Sequence, residues 1–278
     1  MQQEKQLLER RLVLPLAEPE LADTYGVVPP HAVVLFGPPG TGKTTFAKAI
    51  ASRLEWPFVE IFPSRLAAEP DGLASALRQT FLQISELEHV VVFLDEVEEI
   101  ASHRSGEPPS PTQGVTNELL KIIPSFREQP GRLLVCATNF IRALDSAFLR
   151  HGRFDYVIPI GLPDAEARTA MWQRFIPDTV QEFVDVPQLV ARTEGYSPAD
   201  IEFAARAASQ RALETAVYAD TAGQDPTETA MTEAHQQVPT QIGPTTADYL
   251  DAIHETCTTV SEDVAAAFQE DIHTLARV

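Results

Sequence analysis

An α/β fold, with a five-stranded parallel sheet covered by helices and followed by a smaller all-helical region, is predicted by three features of the sequence. Short runs that are apolar throughout, such as Val33-Val34-Leu35-Phe36, Val90-Val91-Val92-Phe93-Leu94 and Leu133-Leu134-Val135-Cys136-Ala137, alternate with stretches of helical periodicity. Strands buried on both faces lose the in-out alternation of a half-exposed sheet, so such runs point to parallel pairing. A Gly-rich segment, Gly37-Pro38-Pro39-Gly40-Thr41-Gly42-Lys43-Thr44, joins the first run to the first helical pattern. From Asp164 onward strand patterns stop while helical ones continue.

Taken in order, the chain opens with a polar helical segment from Glu4 to Leu16, expected to break at Pro15 and Pro19. Residues 25–30 form a turn feeding the first strand. After the Gly-rich segment, Ala47, Ile50, Ala51 and Leu54 share one helix face. Residues 57–62 read as a second strand, and Leu73, Leu77, Phe81 and Ile84 mark the next helix. Residues 90–94 form a central third strand. The Gly-, Ser- and Pro-containing stretch 102–114 is expected to be a mobile loop. Val115, Leu119, Ile122, Ile123 and Phe126 line another helix, followed by a fourth strand at 133–137 and a short fifth at 156–158. In the C-terminal region, residues 221–246 are rich in Thr, Gln, Pro and Gly and read as a flexible insertion. Helical pattern returns at Leu250 and Ile253, then at Val264, Phe268 and Ile272.

Composition narrows the class. The chain has 278 residues, of which 44% are hydrophobic and 22% charged, as in soluble globular proteins. No apolar run is long enough to span a bilayer, so no membrane role is expected. Cys136 and Cys257 lack metal-ligand spacing, and a reducing cytoplasmic setting fits them. The formal charge of −19 argues against a duplex-DNA binder, because such affinity comes mostly from a basic surface. We read the acid excess as a solubility feature.

The Gly-rich segment carries the chemistry. At a strand-to-helix turn, glycines let the backbone wrap an anion with its amides inward, and the helix N-terminus adds partial positive charge. Pro38, Pro39, Gly40, Thr41, Gly42, Lys43, Thr44 and Thr45 are therefore candidate phosphate contacts. Lys43 would reach the β- and γ-phosphates, and the Thr44 hydroxyl would ligate Mg²⁺. Asp95, closing the third strand, would hold the same ion. Glu96 is placed to take a proton from an attacking water, the alternative being a solvated acidic turn with Glu98 and Glu99. Asn139, ending the fourth strand, offers both donor and acceptor to that water or to the γ-phosphate. Arg150 and Arg153 lie beyond the fourth strand. They suit charge stabilisation on a transferring phosphoryl group, which arginine can supply in trans; the alternative is a surface ion pair with Asp155.

Four segments in order resemble the AAA+ ATPases: the Gly-rich loop, Phe93-Leu94-Asp95-Glu96, Ala137-Thr138-Asn139, and residues 144–155 from Leu144-Asp145-Ser146 to Arg153-Phe154-Asp155. More narrowly they look like the clade of valosin-containing protein, the proteasomal ATPases and related unfoldases. Shorter matches at Leu14-Pro15-Leu16, residues 26–30, Leu162-Pro163-Asp164, residues 194–201 and Val260-Ser261-Glu262-Asp263 extend the resemblance over nearly the whole chain. It implies a P-loop AAA+ core over residues 1–163 and a helical lid over 164–278, with ATP and Mg²⁺ as ligands and ATP hydrolysis as the activity. It also implies a homo-oligomer, a hexameric ring with ATP between subunits. By the same resemblance Lys43 and Thr44 are the Walker A pair, Asp95 and Glu96 the Walker B pair, and Asn139 is sensor 1. Arg150 and Arg153 are the fingers that enter the neighbour's site. Gly26, with Tyr25 and Val27, and the lid positions Tyr196 and Ala199 would flank the adenosine. Ser197-Pro198-Ala199-Asp200 is also a sound helix start without any nucleotide.

Departures from the family pattern fall on substrate handling. The first pore-loop region reads Ala67-Ala68-Glu69-Pro70-Asp71-Gly72 and lacks an aromatic residue. The Asp-Gly-Phe signalling motif stands as Pro124-Ser125-Phe126, and Pro198 replaces the lid glycine. The sequence contains no opening Asp-Ile-Gly-Gly element, and a separate substrate-recruiting domain is not expected. The expected function is an ATP-hydrolysing ring that remodels a protein partner, with a non-threading, nucleotide-controlled assembly switch as the alternative. A nucleic-acid motor fits the fold but not the charge.

Overall fold

The apolar runs form strands β1 (Ala32–Phe36), β2 (Phe58–Ile61), β3 (Val90–Leu94), β4 (Arg132–Thr138) and β5 (Tyr156–Pro159). The structure is a computed structural model that describes residues 6–66, 72–101, 111–150, 152–218 and 243–278. All strand pairings are parallel, in the order β2-β3-β4-β1-β5. Strands β1, β3 and β4 are buried along their whole length, as the uninterrupted apolar sequence requires of central strands.

Strand periodicity divides the core into two layers. Val34, Phe36, Val92, Leu94, Leu134 and Cys136 face one way, toward helices α5 (Leu73–Ile84) and α6 (Pro111–Arg127). There they meet Leu77, Phe81, Leu119, Ile123 and Phe126. Val33, Leu35, Val91, Phe93, Leu133 and Val135 face the other way, toward Ala47, Ile50, Ala51 and Leu54 of helix α3 (Lys43–Leu54). Leu8, Leu12, Val13 and Leu16 complete that second layer.

The N-terminal segment departs from expectation at Pro15. A π-helical stretch, Glu9–Val13, runs directly into α1 (Leu14–Ala17), with Pro15 in the first turn of the latter. A first-turn proline lacks only an N–H that the helix leaves unpaired, and the wider π winding relieves its ring of the usual clash. The break comes at Glu18 (φ −125°, ψ 63°), before Pro19 opens α2 (Pro19–Thr24). A short α4 (Pro63–Leu66) follows β2. Helix α6 begins at Pro111, so residues 111–114 are helical rather than part of the expected loop. Residues 102–110 of that loop, the pore-loop residues 67–71, and 221–242 of the expected insertion lie outside the described residues.

The chain divides into two compact units, residues 1–161 with 262–278, and residues 162–261. The expected division placed everything from 164 to 278 in the helical region. The last helix instead belongs to the α/β unit. On α11 (Glu262–Leu275), Phe268 enters the sheet core, with Ile272 and Leu275 packed beside it. Arg277 and Val157 then exchange backbone hydrogen bonds of 2.9 and 2.8 Å, covering the exposed edge of β5.

The helical unit contains α7 (Ala165–Phe175), α8 (Val186–Arg192), α9 (Pro198–Tyr218) and α10 (Thr246–Glu255). They pack around Trp172, Leu189, Ile201, Tyr249 and Ile253. Asp164 and Asp185 cap α7 and α8, and Thr245 with Asp248 forms a capping box on α10. Thr245 and Thr246 thus start a helix rather than end the insertion. Among the described residues no helix is long and apolar enough to cross a membrane.

Candidate active site

Because β4 lies between β1 and β3, Gly37, Asn139 and Asp95 follow three neighbouring strands at the carboxyl edge of the sheet, Gly37 level with Asn139 and Asp95 level with Ala137. That edge is where open parallel sheets bind ligands.

The loop from Gly37 to Thr44 owes its shape to glycine. At Gly37 (φ +155°) an added Cβ would lie 2.1 Å from the Ile160 carbonyl oxygen, so no side chain fits. Gly42 (φ +90°) takes the left-handed conformation immediately before α3, which glycine enters without steric cost. Gly40 is also left-handed and is exposed, Pro38 is buried, and Pro39 is half-buried. The Thr41 hydroxyl, buried, donates to the Pro38 carbonyl at 2.9 Å. Thr45 is exposed on the first turn of α3.

Lys43 is buried, and its ammonium donates to the carbonyls of Gly37 and Pro38, both at 2.9 Å, and to Asn139 Oδ1 at 2.7 Å. Burial lowers its pKa to about 8, against the opposing pull of Asp95 and Glu98. A buried cation whose direct acceptors are all neutral is short of negative charge, which suits it to a phosphate. Beside it, the Thr44 hydroxyl donates to Asp95 Oδ2 at 3.3 Å, and Asp95 Oδ1 accepts the Glu96 N–H at 2.9 Å. This pair of hard oxygen donors fits Mg²⁺, which binds through a few carboxylate and hydroxyl oxygens and completes its shell with water and phosphate.

Glu96 adopts a left-handed backbone (φ 49°, ψ 44°) and stands exposed. Partial desolvation, then the negative charges of Glu99, Asp95 and Glu98, raise its carboxyl pKa. That direction suits a proton acceptor. Its turn leads into a 3₁₀ segment, Val97–Glu99, from which Glu98 Oε1 accepts the Asn139 N–H at 3.1 Å. Glu98 was invisible as a site residue in the sequence, where the acidic run read as a solvated turn. Phe268 was equally hidden, 231 positions from the glycine it packs against, its ring 3.3 Å from where a Gly37 Cβ would stand.

The remaining candidates are dispersed. Arg153 donates to the Ala147 carbonyl within its own turn, and Arg150 is exposed. The ion pair with Asp155 belongs to neither. Asp155 Oδ1 is taken by Arg127 at 2.5 Å, and Oδ2 by the N–H groups of His31 and Ala32 at 2.8 and 3.0 Å. Gly26 (φ +67°) lies in an exposed turn with Tyr25 and Val27. In the helical unit Ala199 is exposed, whereas Tyr196 is buried and its hydroxyl donates to the Ile253 and Thr256 carbonyls at 2.8 and 3.0 Å. Ser197 and Asp200 cap α9 reciprocally, at 2.8 and 3.2 Å. Capping thus engages Ser197 and Asp200, and Asp200 Oδ1 also accepts from the N–H and hydroxyl of Thr259.

Residues 33–162 match the model of the AAA family, the ATPase family associated with various cellular activities. A cell division cycle protein 48 homolog of Archaeoglobus fulgidus is 34% identical over 217 residues, covering 77% of this chain and 29% of the relative. A proteasome-activating nucleotidase of Saccharolobus solfataricus is 36% identical over 208 residues, 72% of this chain and 52% of the relative. One from Methanoregula boonei is 35% identical over 193 residues, 68% and 44% respectively. The chain thus spans about half or less of these relatives. Among solved structures, the FIGL-1 AAA domain in complex with ADP superposes with a TM-score of 0.75 at 24% identity, covering 99% of this chain and 88% of that one, which shows a shared fold. This chain carries an AAA domain, with homology to the CDC48-like and proteasome-activating ATPases.

Proposed function

We propose that the chain hydrolyses ATP to ADP and phosphate as one subunit of a homo-oligomeric ring, a hexamer, and uses the cycle to remodel a protein partner. The observation that carries this reading is the buried Lys43 ammonium, held by neutral acceptors at the mouth of a glycine-shaped loop. The loop amides and Lys43 would bind the β- and γ-phosphates. Thr44 and Asp95 would hold Mg²⁺, which neutralises phosphate charge. Glu96 would accept a proton from the attacking water, and the Asn139 amide would orient that water or the γ-phosphate. Arg150 and Arg153, whose guanidinium groups make no hydrogen bond to residues 37–44 among the described residues, would act on the ATP of a neighbouring subunit. Gly26, Tyr196 and Ala199 remain candidate contacts to the adenosine.

A non-threading switch is favoured by one observation, the absence of any aromatic residue from 67 to 72. Particle mass with and without ATP–Mg²⁺, followed by assay of phosphate release and of unfolding of a tagged protein, tests both readings. Nucleotide-dependent assembly with unfolding supports the remodeller, and assembly with partner-stimulated hydrolysis alone supports the switch. A monomer that hydrolyses ATP at full rate at every dilution overturns the ring.

A further inference from the structure

Alternate N–H groups of β4 face opposite neighbours. Leu134 donates to His31 on the β1 side at 2.8 Å, so Asn139, of opposite parity, directs its N–H to the β3 side. The β3–β4 ladder ends at Leu94 and Cys136. Beyond it the β3 backbone has left the sheet through the left-handed turn at Glu96, and no strand carbonyl meets Asn139. Glu98 supplies the acceptor through Oε1 at 3.1 Å. Its second oxygen, Oε2, is buried and has no donor among the described residues. Leaving that oxygen buried and unpaired costs stability, so stability alone does not account for the contact. Asn139 in turn presents Oδ1 to Lys43 at 2.7 Å.

We propose that Glu98 is a positioning residue, holding the Asn139 backbone so that its side-chain amide stays fixed at the γ-phosphate end of the site. The inference rests on the proposed ATPase reading and adds a residue that acts through Asn139 rather than on the nucleotide. If Glu98 merely ties the turn to the sheet, its loss weakens nucleotide binding and turnover together. If it aims Asn139, its loss falls on the chemical step, where a misplaced donor is felt most.

The test uses the full chain with the Glu98→Ala and Glu98→Gln variants, in ATP–Mg²⁺ steady-state kinetics and in ¹⁵N–¹H spectra of the nucleotide-free protein. The Ala variant is expected to lower kcat about 10- to 100-fold while KM stays within about threefold. In the same variant the Asn139 amide proton moves upfield as its carboxylate acceptor is lost. The Gln variant keeps an acceptor oxygen at the same reach and restores kcat to within about threefold of the parent. An unmoved Asn139 resonance in the Ala variant, an unchanged kcat, a parallel loss of kcat and binding, or a Gln variant as impaired as Ala each overturns the inference. An inactive parent chain overturns the ATPase reading itself, so the two failures are distinguishable.

Discussion

The Lys43 ammonium and the Asn139 amide oxygen, 96 residues apart in sequence, meet at 2.7 Å across the loop mouth. With the Gly37 and Pro38 carbonyls, this bond occupies all three donors of the ammonium. An arriving phosphate would replace neutral acceptors with anionic ones, and charge-assisted bonds are roughly twice as strong. Lys43→Met is therefore expected to weaken ATP binding by about 10- to 100-fold, in line with a loss of 1.5–3 kcal/mol. Titration with a fluorescent ATP analogue measures it, and an affinity equal to the parent's would remove Lys43 from the phosphates.

The same burial predicts a pH dependence in the nucleotide-free protein. The folded state holds Lys43 at about 8, below its ordinary 10.5. Between those values the unfolded chain binds more protons than the folded one, so this group makes stability rise with pH across that window. Comparing urea midpoints of the parent and Lys43→Met at pH 7 and pH 10 isolates the contribution. The balance should move in the parent's favour by on the order of 2 kcal/mol, from about 1.4 kcal/mol per pKa unit. A flat difference would show an ammonium in ordinary solvent.

Glu96→Gln removes the proposed proton acceptor while keeping side-chain shape, so the variant is expected to bind ATP within about threefold of the parent and to lose at least about 100-fold in turnover. Single-turnover phosphate release after mixing with ATP–Mg²⁺ reads the effect. Unchanged turnover would place the base elsewhere.

Much of this site was legible because its parts are short and local. The loop from Gly37 to Thr44 needs glycines at fixed places, and Asp95 and Asn139 each follow an apolar strand that ends where the polar residue begins. What stayed hidden depends on tertiary return. Glu98 matters because a left-handed Glu96 swings it back to β4, and nothing in an acidic run marks that turn. Arg127 claims Asp155 because α6 ends where β5 begins in space, not in sequence. Helical periodicity showed that α11 exists, yet a helix face does not declare which core it joins. Pro15 illustrates the opposite error, a strong local breaker overridden by a π-helical stretch packed through Leu12 and Val13.

The proposed trans arrangement of the arginines makes a prediction by mixing. If the group acts on another subunit's ATP, Arg153→Ala should abolish hydrolysis while leaving nucleotide affinity within about threefold. Lys43→Ala disables a subunit's own site and leaves its Arg150 and Arg153 intact. Mixed rings should regain part of the activity that each variant lacks alone, measured as phosphate release against mixing ratio. Full assembly with no restored activity would place the arginines in the site of their own chain.

Phe268 gives the last prediction, since one ring meets several parts of the loop's foundation. It stacks edge-on against Phe36 with centroids 5.7 Å apart, and it fills the space beside Gly37 and Gly161, neither of which carries a side chain. Arg142, three residues past Asn139, is tied to Glu270 and Asp271 on the same helix. Loss of the ring in Phe268→Ala should destabilise the α/β unit by about 3–5 kcal/mol, the usual range for a buried phenylalanine. Its effect should also reach the loop, because Gly37 supplies one of the carbonyls that hold Lys43. Amide hydrogen exchange at residues 37–44 should therefore speed up in the variant more than at β3, which lies two strands from β1 in the sheet. Phe268→Leu, keeping most of the volume, should restore loop protection. Equal acceleration at β3 and the loop would reduce Phe268 to general packing, with no particular hold on the phosphate site.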